Sequence, residues 1–387
     1  MTLREHFFSI ADGKKPANMP FVPDITDWYT GRQTPDGEAR KFGAAQYIPD
    51  DNPIKDFDGK LPEKYRGWSL LDFYRNYGWG FHAHIGDWYE TVYESDIKCE
   101  TINGPKQFTR VFTTPKGSLT RTYKLAMDGT WCPVDYLLKS PDDFKIWFYI
   151  LNSQSYKHMP GNVDLVLDGI GDMGQADIVI YRSPFGKLIH EHLGFMETAY
   201  ALQDDPKLID EYLALQWQKD MELVDLACKD RARLVIISDH ADQTLISKNW
   251  YAQYCIPFYQ EACSRLHKYG KIVSTHLDGN FKDFFPLLGK TGFDILDGCT
   301  PAPMFNYEIE ELAAAMPDNM KAFIGVASTL FCYENATVDE ILAYADRILT
   351  AFKGRGIINV GDILSPDGDI EKVIALGEHV KKSYSRT

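Results

Sequence analysis

The stretch LVIISDHADQTLISKNWYAQYCIPFYQEACSRLHKYGKIVSTH, residues 234–276, carries the signals of a strand, a helix and a second strand in that order. Residues 234–238 and 272–275 are short runs rich in β-branched side chains, which is typical of buried strands. His240 and His276 follow where these strands end. If the strands are parallel neighbours, both imidazoles lie at the carboxyl edge of the sheet, where α/β enzymes place their sites.

A third side chain that binds metals, Cys255, lies in the predicted helix between these strands. Ser247 is a good N-cap for this helix, and Pro257 predicts a kink near Cys255, where free N–H groups and a helix dipole would favour the thiolate. Two imidazoles and one thiolate are three protein ligands, the number found in catalytic zinc sites with an open position. The alternative is a buried cysteine beside two hydrogen-bonded histidines.

Other polar side chains are candidates for the same site. Asp239 and Asp278 lie next to the proposed ligands and could orient the imidazole N–H groups. Two H-x-H pairs compete as metal ligands, since alternate residues of a strand point the same way. Neither pair has a third ligand at the end of an adjacent predicted strand. These pairs are His82 with His84 and His190 with His192.

Composition excludes several classes of protein. The chain has 387 residues, is 44% hydrophobic and has a formal net charge of −14, which argues against a nucleic-acid surface. Its seven cysteines are an odd number without the spacing of a disulfide scaffold, so we expect reduced thiols. The first 16 residues have no continuous apolar core, and no apolar run is long enough to cross a bilayer. We therefore expect a soluble, cytoplasmic protein that acts on a small molecule or a protein partner.

The order of predicted elements indicates one TIM-type (β/α)8 barrel domain that spans residues 1–387, with an N-terminal extension. Alternating residues and Asn-Gly and Lys-Gly turns predict an inserted β-hairpin region at about residues 97–127. No glycine-rich phosphate loop follows a predicted strand, so nucleotide binding has no support. The predicted strands are 177–181, 234–238, 272–275, 293–296, 322–326 and 357–360, and helices are predicted at 206–227, 337–351 and 370–381.

Three parts of the chain resemble the uroporphyrinogen decarboxylase superfamily. These are the opening LREHFFSIADGKKPANMPFVPDI, the stretch from SDHADQ to DGCTPAP with His276-x-x-Gly279-Asn280, and the ending GIINVGDILSPDGDIEKV. The resemblance covers nearly the whole chain and implies a TIM barrel. The decarboxylase itself uses an arginine-bearing segment after the first strand to hold porphyrin carboxylates. Here that segment reads DITDWY, residues 24–29, and the substrate carboxylates would lack partners.

The corrinoid-dependent methyltransferases of this superfamily are the more similar branch. Their coenzyme M members hold zinc with H-x-C and a distant cysteine, and here His276 is followed by Asp278 and, near the distal position, Asp362. Some O-demethylase methyltransferases of this branch have the pattern E-x14-E-x20-H instead. His240, Cys255 and His276 have this spacing with the first two ligand types changed, and Asp278 and Asp362 remain alternative ligands.

The resemblance implies a zinc-dependent methyltransferase. The methyl donor would be an aryl methyl ether or a related compound, and the acceptor would be the cobalt of a corrinoid on a separate protein, because no D-x-H-x-x-G pattern for cobalamin is present. Zinc as a Lewis acid would offset the charge on the leaving oxygen. Alternatives are a metal-dependent hydrolase, a metal-free decarboxylase and a non-enzymatic tetrapyrrole carrier. Aromatic residues that could bind a flat substrate are Trp28, Tyr29, Trp79, Phe81, Trp88 and Tyr89.

Overall fold

The molecule was analysed as a computed structural model, which describes residues 1–14, 19–33, 61–127, 129–332 and 334–384. Its strands are β1 (Phe81–Ile85), β2 (Tyr89–Tyr93), β3 (Lys98–Gly104), β4 (Gln107–Thr114), β5 (Gly117–Leu125), β6 (Trp131–Pro133), β7 (Gln154–His158), β8 (Gly174–Tyr181), β9 (Leu234–Ser238), β10 (Ile272–His276), β11 (Ile295–Cys299), β12 (Lys321–Ala327) and β13 (Gly356–Gly361).

The helices pack mainly around one large sheet. The α-helices are α1 (Leu3–Ala11), α2 (Thr26–Gln33), α3 (Leu70–Tyr77), α4 (Pro141–Asn152), α5 (Pro160–Ile170), α6 (Pro184–Lys187), α7 (Phe195–Asp204), α8 (Pro206–Ala227), α9 (Lys248–Trp250), α10 (Ile256–Lys268), α11 (Ile309–Ala315), α12 (Val338–Phe352) and α13 (Ile370–Tyr384). Short 3-10 helices cover Glu63–Tyr65, Gly171–Met173, Lys282–Lys290 and Ser328–Phe331, and π-helical turns cover Leu188–His192 and Tyr251–Cys255.

Seven parallel strands form the main sheet in the order β1-β8-β9-β10-β11-β12-β13. Every residue of β11, β12 and β13 is buried. This is expected for parallel strands of a curled sheet, because helices cover the outer face and side chains from other strands pack against the inner face. Helices return the chain between most of these strands, and several begin at strong N-caps, such as the capping box of Thr337 and Glu340. The strands predicted after residue 176 are therefore confirmed as an α/β fold with a curled parallel sheet.

The expected eighth strand is not a regular strand in the described structure. The segment at Phe21 forms an isolated parallel bridge to Ile358 of β13, and the Val22 N–H donates to the Ile358 carbonyl at 3.1 Å. On its other side, the Gly80 N–H donates to the Phe21 carbonyl at 2.8 Å, just before β1 begins. Pro20 and Pro23 flank this segment and have no backbone N–H, which removes two donors from a longer ladder.

The inserted region is larger than the predicted hairpins. Strands β3, β4, β5 and β6 form a four-stranded antiparallel sheet that continues past residue 127 to Pro133. The aromatic rings of Phe108 and Tyr123, which are paired across β4 and β5, stack with centroids 4.7 Å apart. Strands β2 and β7 form a separate antiparallel pair. Among the described residues, no helix has both the length and the apolar character that crossing a membrane requires.

Candidate metal centre

Polar side chains collect at the carboxyl edge of the parallel sheet. His276 is the last residue of β10, Asp297 lies in β11, and Asp362 directly follows β13. His240 comes two residues after the end of β9. Because parallel strands end at the same edge, residues that are far apart in sequence meet here, as the sequence predicts for the two histidines.

Both nitrogens of His276 face carboxylates. Its Nδ1–H donates to Asp297 Oδ2 at 3.2 Å, and its Nε2 lies 3.6 Å from Asp362 Oδ2. A hydrogen bond from Nδ1 to a carboxylate fixes the ring orientation and presents Nε2 to a metal, as in carboxylate–histidine–zinc groups. Gly298, at φ +70°, packs against the ring: a Cβ there would lie 2.6 Å from His276 Cε1. The ring therefore fits because residue 298 has no side chain.

His240 lies against His276 from the neighbouring strand. The ring centroids of the two histidines are 4.6 Å apart, and the His240 N–H donates to the His276 carbonyl at 3.2 Å. The backbone of His240 has φ +48°, which is uncommon for a residue with a side chain. Ligand atoms of His240, His276 and Asp278 all lie within 4.8 Å of one another. Two imidazoles and a carboxylate are a ligand set of catalytic zinc sites.

The two histidines differ in their affinity for protons. Burial, followed by the charges of His276 and Arg182, lowers the pKa of His240 to about 3. Burial also lowers the pKa of His276, but the charge of Asp362 and the hydrogen bonds to Asp297 and Asp362 outweigh burial and raise that pKa well above its usual value. His240 is thus neutral at physiological pH, whereas a metal that bound His276 would have to displace a proton from it.

Cys255 is not part of this group. It is fully buried in the π-helical turn, where its Sγ accepts a hydrogen bond from the Ser183 hydroxyl at 3.8 Å. Burial, and then the charge of Asp239, raises the pKa of this thiol well above its usual value. The helix is not broken before Pro257: it continues through the π-helical turn, with the Ile256 N–H bonded to the Tyr251 carbonyl, into α10. The expectation that this geometry favours a thiolate is therefore wrong.

The predicted supporting role of Asp239 falls to Asp297 instead. Asp239 is fully buried, and its Oδ2 accepts a hydrogen bond from the Tyr259 hydroxyl. Its Oδ1 faces Gly186, where a Cβ would overlap it. Asp278, the other predicted supporting residue, belongs to the ligand group itself. The sequence signal for Asp297 is a carboxylate inside the otherwise apolar strand ILDGC, and sequence reasoning missed it.

The first H-x-H pair does have a third partner. His82 and His84 of β1 both hydrogen-bond to Asp177 of β8, and ligand atoms of the three residues lie within 4.8 Å of one another. Asp177 was missed because it lies within its strand, directly opposite His84 in the parallel register. A buried charged residue in the strand GQADIVIY is the signal that could have found it.

The second H-x-H pair is divided by the π-helical turn that carries it. His192 is buried and its Nδ1 lies 2.6 Å from the Tyr212 hydroxyl, away from the candidate metal centre. Burial lowers the pKa of His192 to about 3. His190 is near enough to His240 for its charge to affect the pKa of His240. The two imidazoles therefore do not form one ligand pair.

The aromatic residues predicted to bind substrate lie mostly in the core. Trp28, Trp79 and Phe81 are at most 1% exposed and Tyr29 is 5% exposed. Trp28 Nε1–H donates to the Gly368 carbonyl at 3.0 Å. Trp79 and Phe81 lie at the amino end of β1, the opposite edge from the candidate metal centre. These positions and contacts are those of core residues.

The remaining two aromatic candidates, Trp88 and Tyr89, follow the carboxyl end of β1 and pack against each other with ring centroids 5.0 Å apart. Trp88 is fully buried, and its Nε1–H donates to the Val179 carbonyl at 2.8 Å. Tyr89 is partly buried and packs on Tyr156. The order of the chain places this pair nearer to the polar edge than Trp79 and Phe81, which lie at the amino end of β1.

Comparison with known proteins identifies the family of the second half of the chain. Residues 185–383 match the family model described as uroporphyrinogen decarboxylase (URO-D). The match includes β9 to β13 and thus His240, His276, Asp278, Asp297 and Asp362. No protein with a curated description matches the sequence.

Two solved structures are similar to this chain at low sequence identity. A methyltransferase from Methanosarcina mazei is 12% identical, with a TM-score of 0.62 over 99% of both chains. A B12-independent methionine synthase from Shewanella sp. W3-18-1 is 11% identical, with a TM-score of 0.45 over 96% of this chain and 98% of that chain.

Proposed function

This chain belongs to the uroporphyrinogen decarboxylase family, and from that premise we propose that it is a zinc-dependent methyltransferase. In this proposal, it takes a methyl group from an aryl methyl ether or a related donor and transfers it to the cobalt of a corrinoid on a separate protein. The observation that carries the proposal is the group of His240, His276 and Asp278 at the carboxyl edge of the sheet. The fold shared with the methyltransferase from Methanosarcina mazei supports it.

The residues present fit a zinc ion. Two imidazoles and a carboxylate are three suitable donors and leave a tetrahedral position open. Asp297 holds Nδ1–H of His276, so that Nε2, which faces Asp362, is the nitrogen left to bind a metal, and Gly298 leaves room for the ring. When bound, zinc would supply a Lewis acid for the negative charge that develops on the leaving oxygen. Asp362, 3.6 Å from His276 Nε2, is the alternative oxygen ligand.

The side chains of this chain have separate tasks in the proposed reaction. His240, with its low pKa, stays neutral and needs no proton removed before it binds the cation. Asp278 and Asp362 bring negative charge, which offsets the cost of holding a divalent cation in a half-buried site. Cys255, the third ligand predicted from the sequence, lies outside the group of His240, His276 and Asp278, and in this proposal it does not bind the metal.

We also assign the eighth position of a closed barrel to residues 19–24. The bridge from Phe21 to Ile358 and the hydrogen bond from Gly80 to Phe21 join this segment to both edges of the sheet. Asp24, at its carboxyl end, is electrostatically coupled to His84 and Asp362. In this arrangement Asp24 borders the same site as the strand-end residues.

One observation favours a second candidate function. His82, His84 and Asp177 could hold a metal ion, and a metal-dependent hydrolase on this fold would use such a group to activate water. However, both oxygens of Asp177 already accept hydrogen bonds from imidazoles. We therefore place the metal at His240, His276 and Asp278.

The proposal is tested by methyl transfer to free cob(I)alamin, followed by the absorbance change as methylcobalamin forms. We expect the zinc-loaded protein to demethylate a methoxylated aromatic compound, and dialysis against a chelator to remove this activity. His276→Ala should reduce the rate at least 100-fold, on the order expected for loss of a group that holds a catalytic metal. A control is His267→Ala, which removes a histidine that is bonded to Asp294 away from the polar edge and should leave the rate unchanged. Hydrolysis of a substrate without cob(I)alamin, or methyl transfer unaffected by the chelator, would contradict the proposal.

A further inference from the structure

A second histidine–aspartate cluster lies beside the candidate metal centre. Asp177 is fully buried, and its Oδ2 accepts a hydrogen bond from His82 Nε2 at 2.8 Å. The same carboxylate accepts from His84 Nδ1, which lies 3.0 Å from each oxygen. The rings of His82 and His84 are 4.6 Å apart. One buried carboxylate thus orients two imidazoles.

The two histidines of this cluster differ in their access to solvent. The His82 side chain is 9% exposed, whereas the His84 side chain is 35% exposed. His84 is the penultimate residue of β1, at the carboxyl edge of the sheet. Because its Nδ1 donates to Asp177, Nε2 is the nitrogen that remains for a substrate. His84 is therefore the member of the cluster that a bound molecule can reach.

Asp297 connects this cluster to the candidate metal centre. Asp297 accepts the hydrogen bond from His276 Nδ1, and the charges of His276, His84 and His82 together overcome burial and hold its pKa below the usual range. Asp24, on the N-terminal segment, is coupled to His84 on one side and to Asp362 on the other. The charges of both clusters would therefore act on a molecule bound at His240, His276 and Asp278.

The charged groups around His84 keep it protonated. Burial alone lowers the pKa of His84, but the charge and hydrogen bond of Asp177, followed by the charges of Asp297 and Asp24, raise it to about 9. At neutral pH the ring therefore carries a proton on both nitrogens. The proposed Lewis-acid role of the metal group does not use this proton.

We propose that His84, held by Asp177, donates a proton to the oxygen that leaves when the methyl group is transferred. This proposal rests on the proposed methyltransferase function. The C–O bond breaks and its electron pair stays on oxygen, while the electron pair of the reduced cobalt forms the new bond to carbon. The oxygen takes the Nε2 proton of His84, and the product is a phenol. His84 then remains neutral, with its Nδ1–H still bonded to Asp177, until it is protonated again from solvent.

The proposal predicts how the rate depends on the leaving group. We would measure methyl transfer to cob(I)alamin from methyl ethers of phenols with graded acidity, using wild type and His84→Gln. A general acid contributes about 10²–10⁴-fold, mostly where the leaving oxygen is strongly basic. We expect a weak dependence on phenol pKa in wild type and a steep one in His84→Gln. The control His267→Gln should behave as wild type, since His267 bonds to Asp294 away from the polar edge.

A second variant and a second readout keep the test independent of activity. Asp177→Asn removes the charge that holds the proton, so the alkaline limit of the rate should move to lower pH. In NMR of protein labelled with ¹⁵N-histidine, the signal lost in His84→Gln should titrate near pH 9 in wild type and at lower pH in Asp177→Asn. Zinc content should be the same in wild type and His84→Gln.

Three results would overturn the proposal, and they are distinguishable. Equal slopes for wild type and His84→Gln would remove His84 from proton transfer while leaving the methyltransferase function intact. Loss of a bound metal ion in His84→Gln would make the cluster a metal site instead. Absence of methyl transfer by wild type from every ether tested would reject the proposed function itself, and the proton donor with it.

Discussion

His276 is constrained by three different neighbours. Asp297 accepts the Nδ1–H, Asp362 lies opposite Nε2, and Gly298 packs against the ring. Only the first two contacts are polar, and the third depends on the absence of a side chain. The orientation of this candidate ligand is therefore fixed in part by Asp297 and Gly298, which lie outside the proposed ligand group.

Gly298→Ala is expected to weaken zinc binding. The new Cβ would lie 2.6 Å from His276 Cε1 and 2.8 Å from Nδ1, so the ring must move away from Asp297. A side chain at positive φ also costs about 1 kcal/mol or more of folding stability. We expect the zinc affinity, measured by competition with a chromophoric chelator, to fall by about 10–100-fold.

The matched control is Gly354→Ala. Gly354 has φ +84°, but no atom lies within 4 Å of the position that a Cβ would take there, so this variant introduces the same backbone strain without contact to a histidine. Both variants should lose stability, measured by urea unfolding, and only Gly298→Ala should lose zinc affinity. Unchanged affinity in Gly298→Ala would show that the His276 orientation does not control metal binding.

For single residues, the sequence predicted the histidines of the site better than the carboxylates that accept their hydrogen bonds. His240 and His276 could be placed because each follows a recognisable strand, and parallel strands end at one edge. Asp177 and Asp297 were missed because both lie within strands, where apolar residues are expected. Cys255 lies at the predicted helical position, but the direction of its side chain depends on tertiary packing, which the sequence pattern does not contain.

The pairing of β1 with β8 brings His82, His84 and Asp177 together. In the parallel register His84 is opposite Asp177, and His82 is opposite Gln175. Because side chains alternate between faces, a shift by one residue would turn both histidines away from the carboxylate. The contacts of His82 and His84 with Asp177 therefore depend on the register of β1 and β8.

The ion pair of His84 and Asp177 should make the stability of the folded protein depend on pH. The folded pKa of His84, about 9, lies above its usual value of 6.5, so its contribution to stability is fully present below about pH 6.5 and is lost as pH rises through 9. Asp177 has a lowered pKa, and its contribution is lost only in acid. We expect the Tm of wild type to fall between pH 7 and pH 10 more than that of His84→Gln, measured by calorimetry. Parallel curves for the two proteins would mean that the ion pair does not stabilise the fold.

The helix predicted to begin after the Ser247 N-cap is confirmed, but the sequence did not predict the π-helical turns near the site. Leu188–His192 and Tyr251–Cys255 each widen a helix that contributes residues near the carboxyl edge. In the second turn the Ile256 N–H bonds to the Tyr251 carbonyl, and Pro257, which has no N–H, is accommodated in the first turn of α10. A regular 3.6-residue period, by contrast, predicts a break at the proline.

For the whole molecule, the regular alternation of strands and helices in the second half predicted the parallel sheet. The same half contains the matched family region, residues 185–383. In the first half, the antiparallel hairpins at about residues 97–127 are confirmed, but the segment at Phe21 is reduced to one bridge and the inserted sheet continues to Pro133. Long-range pairing decides both features, and local sequence periodicity carries little information about it.

The charge distribution is consistent with a cation at the polar edge. The chain carries a formal charge of −14, and Asp278, Asp297 and Asp362 gather around two histidines. Burial, followed by the charge of Asp362, raises the pKa of Asp278. Mutual repulsion of these carboxylates is relieved when a divalent cation binds.

The zinc content of purified protein and its variants tests the central claim most directly. We predict one zinc ion per chain in wild type, measured by mass spectrometry of the metal after dialysis, and its loss in His240→Ala, His276→Ala and Asp278→Ala. Cys255→Ala should keep the zinc, because the thiol is buried in the π-helical turn and lies outside the ligand group. Folding of each variant is checked by circular dichroism. Zinc retained in folded His276→Ala, or no zinc bound by wild type even after addition, would contradict the account.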